Sequence, residues 1–297
     1  MVSIMRKITH ISSVKGEKYV HFLDRHLVNP YGNTVNVVVI GAGGNGTQIL
    51  SGLARMNVAL MALGHPGLYV HVFDGDSVSE ANVGRQLFAV PDIGLNKATV
   101  QVTRINNFFG FQWKSYPLMF TKNSIDQSSQ DIPLVISAVD TADARILIRQ
   151  QIEGRCLYFL DVGNTKNTGQ CVIGTVEPIS QPKRKGNATA LEYIPTVTDL
   201  YDFKEQEKRS GFQGPSCSIE QALRRQDLFI NQQVSTCALR LLWVGFRTGK
   251  LEINGYIVNQ NSAISERAMP LDPVMWKRMG WEREAPKTEE YAEKNAA

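Results

Sequence analysis

A chain of 297 residues with 43% apolar side chains can bury one large α/β core. A formal net charge of +4 is mild and gives no ground for nucleic-acid binding. No apolar run is long enough to cross a bilayer, and Met1–His10 lacks the apolar stretch of a signal peptide, so the expectation is a soluble, cytoplasmic protein with no membrane partner.

Residues 1–34 read as an N-terminal extension ending in the turn residues Asn29, Pro30, Tyr31, Gly32 and Asn33. Val35 and Val37–Ile40 form an apolar, β-branched run that predicts a buried parallel strand. The glycine-rich loop GAGGNG follows, with Gly41, Gly43, Gly44 and Gly46 at the turn from strand to helix. Gly41 allows the tight turn, Gly43 lets backbone approach phosphate, and Gly46 lets helix and strand pack closely. The amides opening the next helix then face an anion, helped by the helix dipole. Apolar residues at helical spacing predict that helix over Thr47–Leu63, ended by Gly64 and Pro66.

Leu68–Phe73 predicts the second strand, which ends at Asp74, where a carboxylate can accept hydrogen bonds from both ribose hydroxyls. An NAD enzyme has an acid in the same place, so Asp74 does not choose the chemistry. Asn82, Arg85, Gln86 and Lys97 do: an arginine and a lysine on the phosphates suit a reaction that develops charge on an α-phosphate and expels pyrophosphate. Taken singly, Arg85 and Lys97 also read as exposed cations on a loop and a helix start. Asp76 either shapes the turn after Asp74 or touches ligand. A helix is predicted over Lys97–Phe109.

Leu134–Val139 predicts a strand ending at Asp140, on the edge where open α/β sheets bind ligands, and a helix follows through Arg149. Asp140 reads either as a ligand for a magnesium ion or as the N-cap of that helix. Leu157–Val162 and Gln170–Glu177 predict further strands. From 178 to 216 the apolar periodicity is lost, which predicts a long mobile crossover loop over the site. Its basic run Lys183-Arg184-Lys185 reads as a solvated face, with attraction to an acidic partner as the other reading. Ser218–Val244 predicts one long helix, with Ala222, Leu223, Leu228, Phe229, Val234, Ala238 and Leu241 as apolar faces. Leu251–Val258, interrupted by Asn254-Gly255, predicts a hairpin, and residues 282–297 form a charged tail. The whole predicts a doubly wound, Rossmann-like, mostly parallel sheet over residues 35–281, with the crossover loop, a C-terminal helix and a hairpin added.

Taken together, GAGGNG, Asp74-Gly75-Asp76, Asn82-x-x-Arg85-Gln86, the Lys97 of GLNK and SAVDTADAR (Ser137–Arg145) resemble the adenylation domain of the E1-like superfamily, the ThiF, MoeB and ubiquitin-activating enzymes. Within it the likeness is greatest to the ThiF-type proteins of bacterial PRTRC cassettes. The resemblance implies ATP and Mg²⁺, with Asp140 holding the metal, and attack on the α-phosphate by the C-terminal carboxylate of a small ubiquitin-like, β-grasp protein. It also implies a homodimer with ATP sites near the interface. E1-like dimers often supply an arginine from the N-terminal segment of one subunit to the other's ATP site; Arg25 is the candidate here, against the reading of a surface arginine.

Cysteines are sparse. Cys156, Cys171, Cys217 and Cys237 form no CxxC, so the structural zinc of many relatives is not expected. Cys217, in Gly214-Pro215-Ser216-Cys217-Ser218 at a helix opening, reads either as a thiol that takes the activated chain as a thioester or as a half-buried small hydrophobe. Cys156, Cys171 and Cys237 sit among apolar residues and read as core. The five histidines show no ligand or dyad spacing.

Overall fold

In the computed structural model, residues 18–28, 32–124, 132–182, 188–202, 220, 226–261 and 265–281 are described. In chain order the strands are β1 (Lys18–Phe22), β2 (Val35–Ile40), β3 (Leu68–Phe73), β4 (Lys114–Tyr116), β5 (Ile132–Ser137), β6 (Cys156–Asn164), β7 (Thr168–Thr175), β8 (Ala188–Ala190), β9 (Lys250–Leu251), β10 (Ile253–Asn259) and β11 (Ser265–Pro270). The helices are α1 (Arg25–Val28), α2 (Gly44–Ala62), α3 (Lys97–Phe109), α4 (Ala142–Gln151), α5 (Val197–Leu200), α6 (Ile230–Thr248) and α7 (Pro273–Arg278).

Every residue of β2 and β5 is buried, as continuous apolar runs require of strands covered on both faces. They sit inside an eight-stranded sheet of order β11-β10-β7-β6-β5-β2-β3-β4. From β4 through β6 the pairings are parallel; β7, β10 and β11 join antiparallel. The chain leaves β2 toward β3 and β4, then returns to β5 on the other side of β2. That reversal opens a crevice beyond the carboxyl ends of β2 and β5, the place where doubly wound sheets bind ligands. The expected doubly wound, mostly parallel fold is therefore the fold observed.

Helix α6 packs on α2 and across β6, β7 and β10. Contact with α2 is close at Gly52, where a Cβ would come within 2.1 Å of the Leu239 side chain. A second sheet, β8-β1-β9, ties the N-terminal strand to the crossover segment and to the end of α6.

Three expectations change. The long helix is interrupted: α6 begins at Ile230, and Gln226–Phe229 form a bend and turn. Asp227 sets it, its carboxylate accepting from the Phe229 amide (3.0 Å) while its own amide donates to Lys166 O (3.0 Å). Leu228 and Phe229 are consequently exposed, not an apolar face, and Ser218, Ala222 and Leu223 lie outside the described residues. Asn254-Gly255 makes no hairpin turn. Both residues sit inside β10 at a register shift, where Asn254 Nδ2 donates to Pro195 O (3.5 Å) and a Cβ on Gly255 would meet Cys171 O at 2.2 Å. This glycine serves close backbone approach at a bulge, not a reversal. Finally, the described part of 178–216 is packed: Ile194, Val197 and Leu200 are buried, and the segment bonds back to β7 through Thr175 N to Ile194 O (2.9 Å). Its apolar residues follow no regular period because they cover a strand end instead of forming a long helix. Lys183-Arg184-Lys185 lie outside the described residues.

Candidate functional site

The loop between β2 and α2 is shaped by its glycines. Gly41 has φ +93°, and a Cβ there would lie 2.8 Å from Ala138 O, so no other residue fits between β2 and β5. At Gly46 a Cβ would meet Gly41 O at 2.0 Å, which is the close strand-to-helix packing expected of it. Gly43 caps α2 without any side-chain hydrogen bond, and the first turn of α2 carries no acidic residue. The amides of that turn are thus open to an anion. Only the Gln86 amide, 3.9 Å away, would approach a Cβ on Gly43, whereas Asn231 fills the space beside Gly44.

Asp74 stands at the end of β3, with Oδ2 accepting from the Ala42 amide (2.6 Å) and Oδ1 from the Asp76 amide (2.8 Å). Burial raises its carboxyl above the ordinary range, opposed by those two amides and by the Lys97 charge. Each oxygen keeps a further lone pair, the complement of a vicinal diol. Asp76 shapes the turn after Asp74 and pairs with Lys97. Its amide and carbonyl shape the turn, the carbonyl accepting from Lys97 N (3.0 Å) and Asn96 Nδ2 (3.1 Å), while its carboxylate meets Lys97 Nζ at 2.8 Å. Lys97 is 9% exposed and opens α3; it is not a loose surface cation.

Asn82 and Arg85 belong to the loop after β3. Asn82 Oδ1 accepts from the Ser79 amide (2.9 Å) and hydroxyl (3.1 Å), so this side chain folds the loop. The Gln86 amide continues the fold by donating to Asn82 O (2.9 Å). Gln86 is 7% exposed and its Oε1 has no partner among the described residues, an orphaned buried acceptor beside Gly43. Arg85 is half-buried, donating through Nη1 to Gln226 Oε1 and through Nε to Ala81 O (3.5 Å). Burial pulls its guanidinium down and the charge of Asp140 pushes it back up, which places the carboxylate within electrostatic reach.

Asp140 itself is exposed beyond β5. Thr141, not Asp140, is the N-cap of α4, its hydroxyl accepting from the Ala144 amide (3.3 Å). The carboxylate is therefore spared the capping role. Behind it, Arg145 donates to Val139 O (2.8 Å) and to the fully buried Asp161 (3.1 Å), fixing the backbone that presents Asp140. The arrangement is an open helix N-terminus flanked by two cations and one exposed carboxylate, which suits a polyphosphate and a hard cation on it.

Several residues here had no role assigned from the sequence. Asn96 joins the Asp74–Asp76 turn to α3, donating to Asp74 O (2.7 Å). Asn45 donates to Asn164 Oδ1 (2.8 Å), and Gln226 and Asn231 reach the loop from the start of α6. Only the spacing inside SAVDTADAR hinted at Arg145; nothing local marks the others. Cys156, Cys171 and Cys237 are buried as expected, with the Cys156 and Cys237 thiols pushed up to about 12 by burial. Cys217 lies outside the described residues, and Arg25 is exposed on α1. No helix among the described residues is long and apolar enough to cross a membrane.

Fold and site thus define a doubly wound α/β protein with a glycine-lined crevice at its switch point. The ThiF family model matches residues 32–266, and the chain belongs to the ThiF family. It is similar to ubiquitin-activating enzyme E1 1 of Schizosaccharomyces pombe, 26% identical over 195 residues that cover 63% of this chain and 17% of that enzyme. Ubiquitin-activating enzyme E1 2 of Arabidopsis thaliana is 34% identical over 131 residues, 41% of this chain and 11% of its own length. Ubiquitin-like modifier-activating enzyme 5 of Drosophila melanogaster is 26% identical over 155 residues, 48% of this chain and 36% of its own. Among solved structures, PaaA superposes with a TM-score of 0.53 at 12% identity, over 80% of this chain and 64% of that one. MccB of E. coli gives 0.50 at 16% identity, over 84% and 64%. The chain thus spans well under half the length of the relatives it matches in sequence.

Proposed function

We propose that this protein is an adenylating enzyme that activates the C-terminal carboxylate of a small ubiquitin-like, β-grasp protein with ATP. The observation that carries the reading is the meeting of an uncapped helix N-terminus, Arg85, Lys97 and the exposed carboxylate of Asp140 around one crevice. Membership of the ThiF family supports it, as do relatives named as activating enzymes for ubiquitin and a ubiquitin-like modifier.

In this reading the amides of Gly44 and Asn45 receive the phosphates, and Gly43 leaves room for them. Asp74 takes the ribose hydroxyls on its two free lone pairs. A carboxylate oxygen of the partner attacks the α-phosphorus, the bond to the pyrophosphate oxygen breaks, and Arg85 and Lys97 stabilise the charge that builds there. Lys97 Nζ has donors left beyond Asp76. Asp140 would hold Mg²⁺, which supplies charge neutralisation on the phosphates. Asn82 and Gln86 hold the Arg85 loop, and Gln86 Oε1 is without a partner among the described residues. The reading also carries a homodimer in which Arg25 acts across the interface, and a thioester on Cys217 after adenylation.

The test is ATP–pyrophosphate exchange with candidate small glycine-ended β-grasp proteins, using Asp140→Ala as control. Exchange that needs the partner protein and is lost in the variant, with the melting temperature unchanged, is the expected result. Measurable ATP binding without exchange for any candidate overturns the reading of a ubiquitin-like substrate. Full exchange in Asp140→Ala removes Asp140 from the site. Cys217→Ser is expected to keep exchange and lose any thiol-labile conjugate; a wild type that forms no such conjugate makes Cys217 structural.

A further inference from the structure

Between Arg85 and the phosphate loop stands a pair of carboxamides from another part of the chain. Gln226 Oε1 accepts from Arg85 Nη1. The same amide group pairs reciprocally with Asn231, Nε2 donating to Asn231 Oδ1 (3.3 Å) and Oε1 accepting from Asn231 Nδ2 (3.4 Å). Asn231 is 3% exposed and occupies the space that a Cβ on Gly44 would fill, 2.4 Å from its Nδ2. The guanidinium is thereby linked through two amides to the glycine backbone that opens α2. Arg85 sits on a loop: its Nε stays within that loop at the nearby Ala81 carbonyl, whereas its Nη1 reaches out of it to Gln226.

We infer that Gln226 is the positioning residue for Arg85, held in place by Asn231, so that the turn before α6 aims the arginine at the phosphates. The inference rests on the adenylation reading and goes beyond it, because it makes the entry to α6 a working part of the nucleotide site. A long side chain with several rotatable bonds loses entropy when it is fixed, and an arginine fixed before substrate arrives does not lose it during the reaction. Gln226 suits this use because a neutral amide accepts a guanidinium hydrogen bond without cancelling its charge, leaving that charge for the phosphate. A carboxylate at the same place would hold the arginine harder and compete with the phosphate. Asn231, anchored on α6 against α2, cannot swing away without opening the contact at Gly44.

A double-mutant cycle on the full chain tests this. Gln226→Ala is expected to lower kcat of pyrophosphate exchange about tenfold or more, with KM for ATP little changed. In the Arg85→Ala background the same substitution is expected to cost nothing further, which a merely structural role would not produce. Gln226→Glu restores the hold on Arg85 and raises KM for ATP. Equal losses in the two backgrounds, or an unchanged kcat in Gln226→Ala, overturn the inference. Should Gln226→Ala fail to fold, Gln226→Met, of similar length, carries the cycle. A wild type that binds ATP but shows no exchange sinks the adenylation reading alone. Without turnover Arg85 can act only on bound ATP, so the four proteins are then compared by calorimetric ATP affinity: a loss from Gln226→Ala seen when Arg85 is present and absent when it is Ala retains the positioning role, and an equal or absent loss removes it. Absence of ATP binding by the wild type overturns both.

Discussion

Gly46 illustrates how little freedom single positions have here. A Cβ added at this residue would sit 2.0 Å from Gly41 O, a backbone atom that cannot rotate away. Gly46→Ala is expected to destabilise by about 1–3 kcal/mol or to prevent folding, read as a lower urea midpoint. A wild-type midpoint would mean that α2 shifts outward at no cost. Asp140 is the opposite case. It is exposed and Thr141 carries the cap, so its removal is expected to touch turnover and leave stability alone. Thr141→Ala should do the reverse, costing about 1 kcal/mol of stability. These residues could be picked out from sequence because the relevant neighbours lie within a few positions of each other. Asn82, Arg85 and Gln86 share one loop, and Asp74 and Asp76 share one turn.

Elements were legible where a single environment acts along their length. β2, β3 and α3 fall on the predicted residues because β2 and β3 are rich in buried β-branched and aromatic residues, and because Asn96 caps α3, its Oδ1 accepting from the Thr99 amide (3.0 Å). β10 was misread as a hairpin because Asn-Gly looks the same in a type I′ turn and in a bulge. What separates them is the neighbour: β7 approaches Gly255 so closely that no side chain fits. Gly255→Ala is accordingly expected to lower the urea midpoint and to raise hydrogen exchange at Gln170–Val172, which pair with β10. Exchange left at the wild-type rate there would contradict the close approach. α6 was overextended for a related reason. Leu228 and Phe229 continue the apolar pattern, but Asp227 turns the chain before the helix starts.

At the scale of the molecule, β1 and the crossover segment meet on β6 through His21. The ring is fully buried, with Nδ1 donating to Leu191 O (2.6 Å) and Nε2 accepting from the Tyr158 hydroxyl (3.0 Å), which itself accepts from the Asp24 amide (2.8 Å). Leu191 O can only accept, so Nδ1 carries the hydrogen, and the neutral ring leaves Nε2 to accept from Tyr158. Burial lowers the imidazole from its ordinary 6.5, against the Leu191 carbonyl and the Asp24 charge, which raise it. The unfolded state therefore binds the proton first. Stability is fully present above the ordinary 6.5 and is lost as the pH falls below it toward the folded value. His65 and His71 are lowered in the same direction. Urea midpoints taken from about pH 8 to about pH 5 should fall on the acid side, less steeply in His21→Gln. Equal slopes in the two proteins would remove His21 as the source.

The sequence alone determined the doubly wound plan, the glycine-rich turn from β2 into α2, and the placing of Asp74 at the end of β3 and of Lys97 at the start of α3. Strand burial, glycine turns and helix caps are written in neighbouring residues, and a motif of fixed spacing folds the same way wherever it stands. Only the tertiary structure decided which side chains support them. Gln226 reaches Arg85 across 141 residues, Tyr158 reaches His21 across 137, and Asn231 closes on Gly44 from the start of α6. Such pairings depend on the strand order and on α6 crossing α2, and amides and ring nitrogens carry no periodicity that would announce them. Local chemistry is encoded locally; the partner that holds each group in place is chosen by packing.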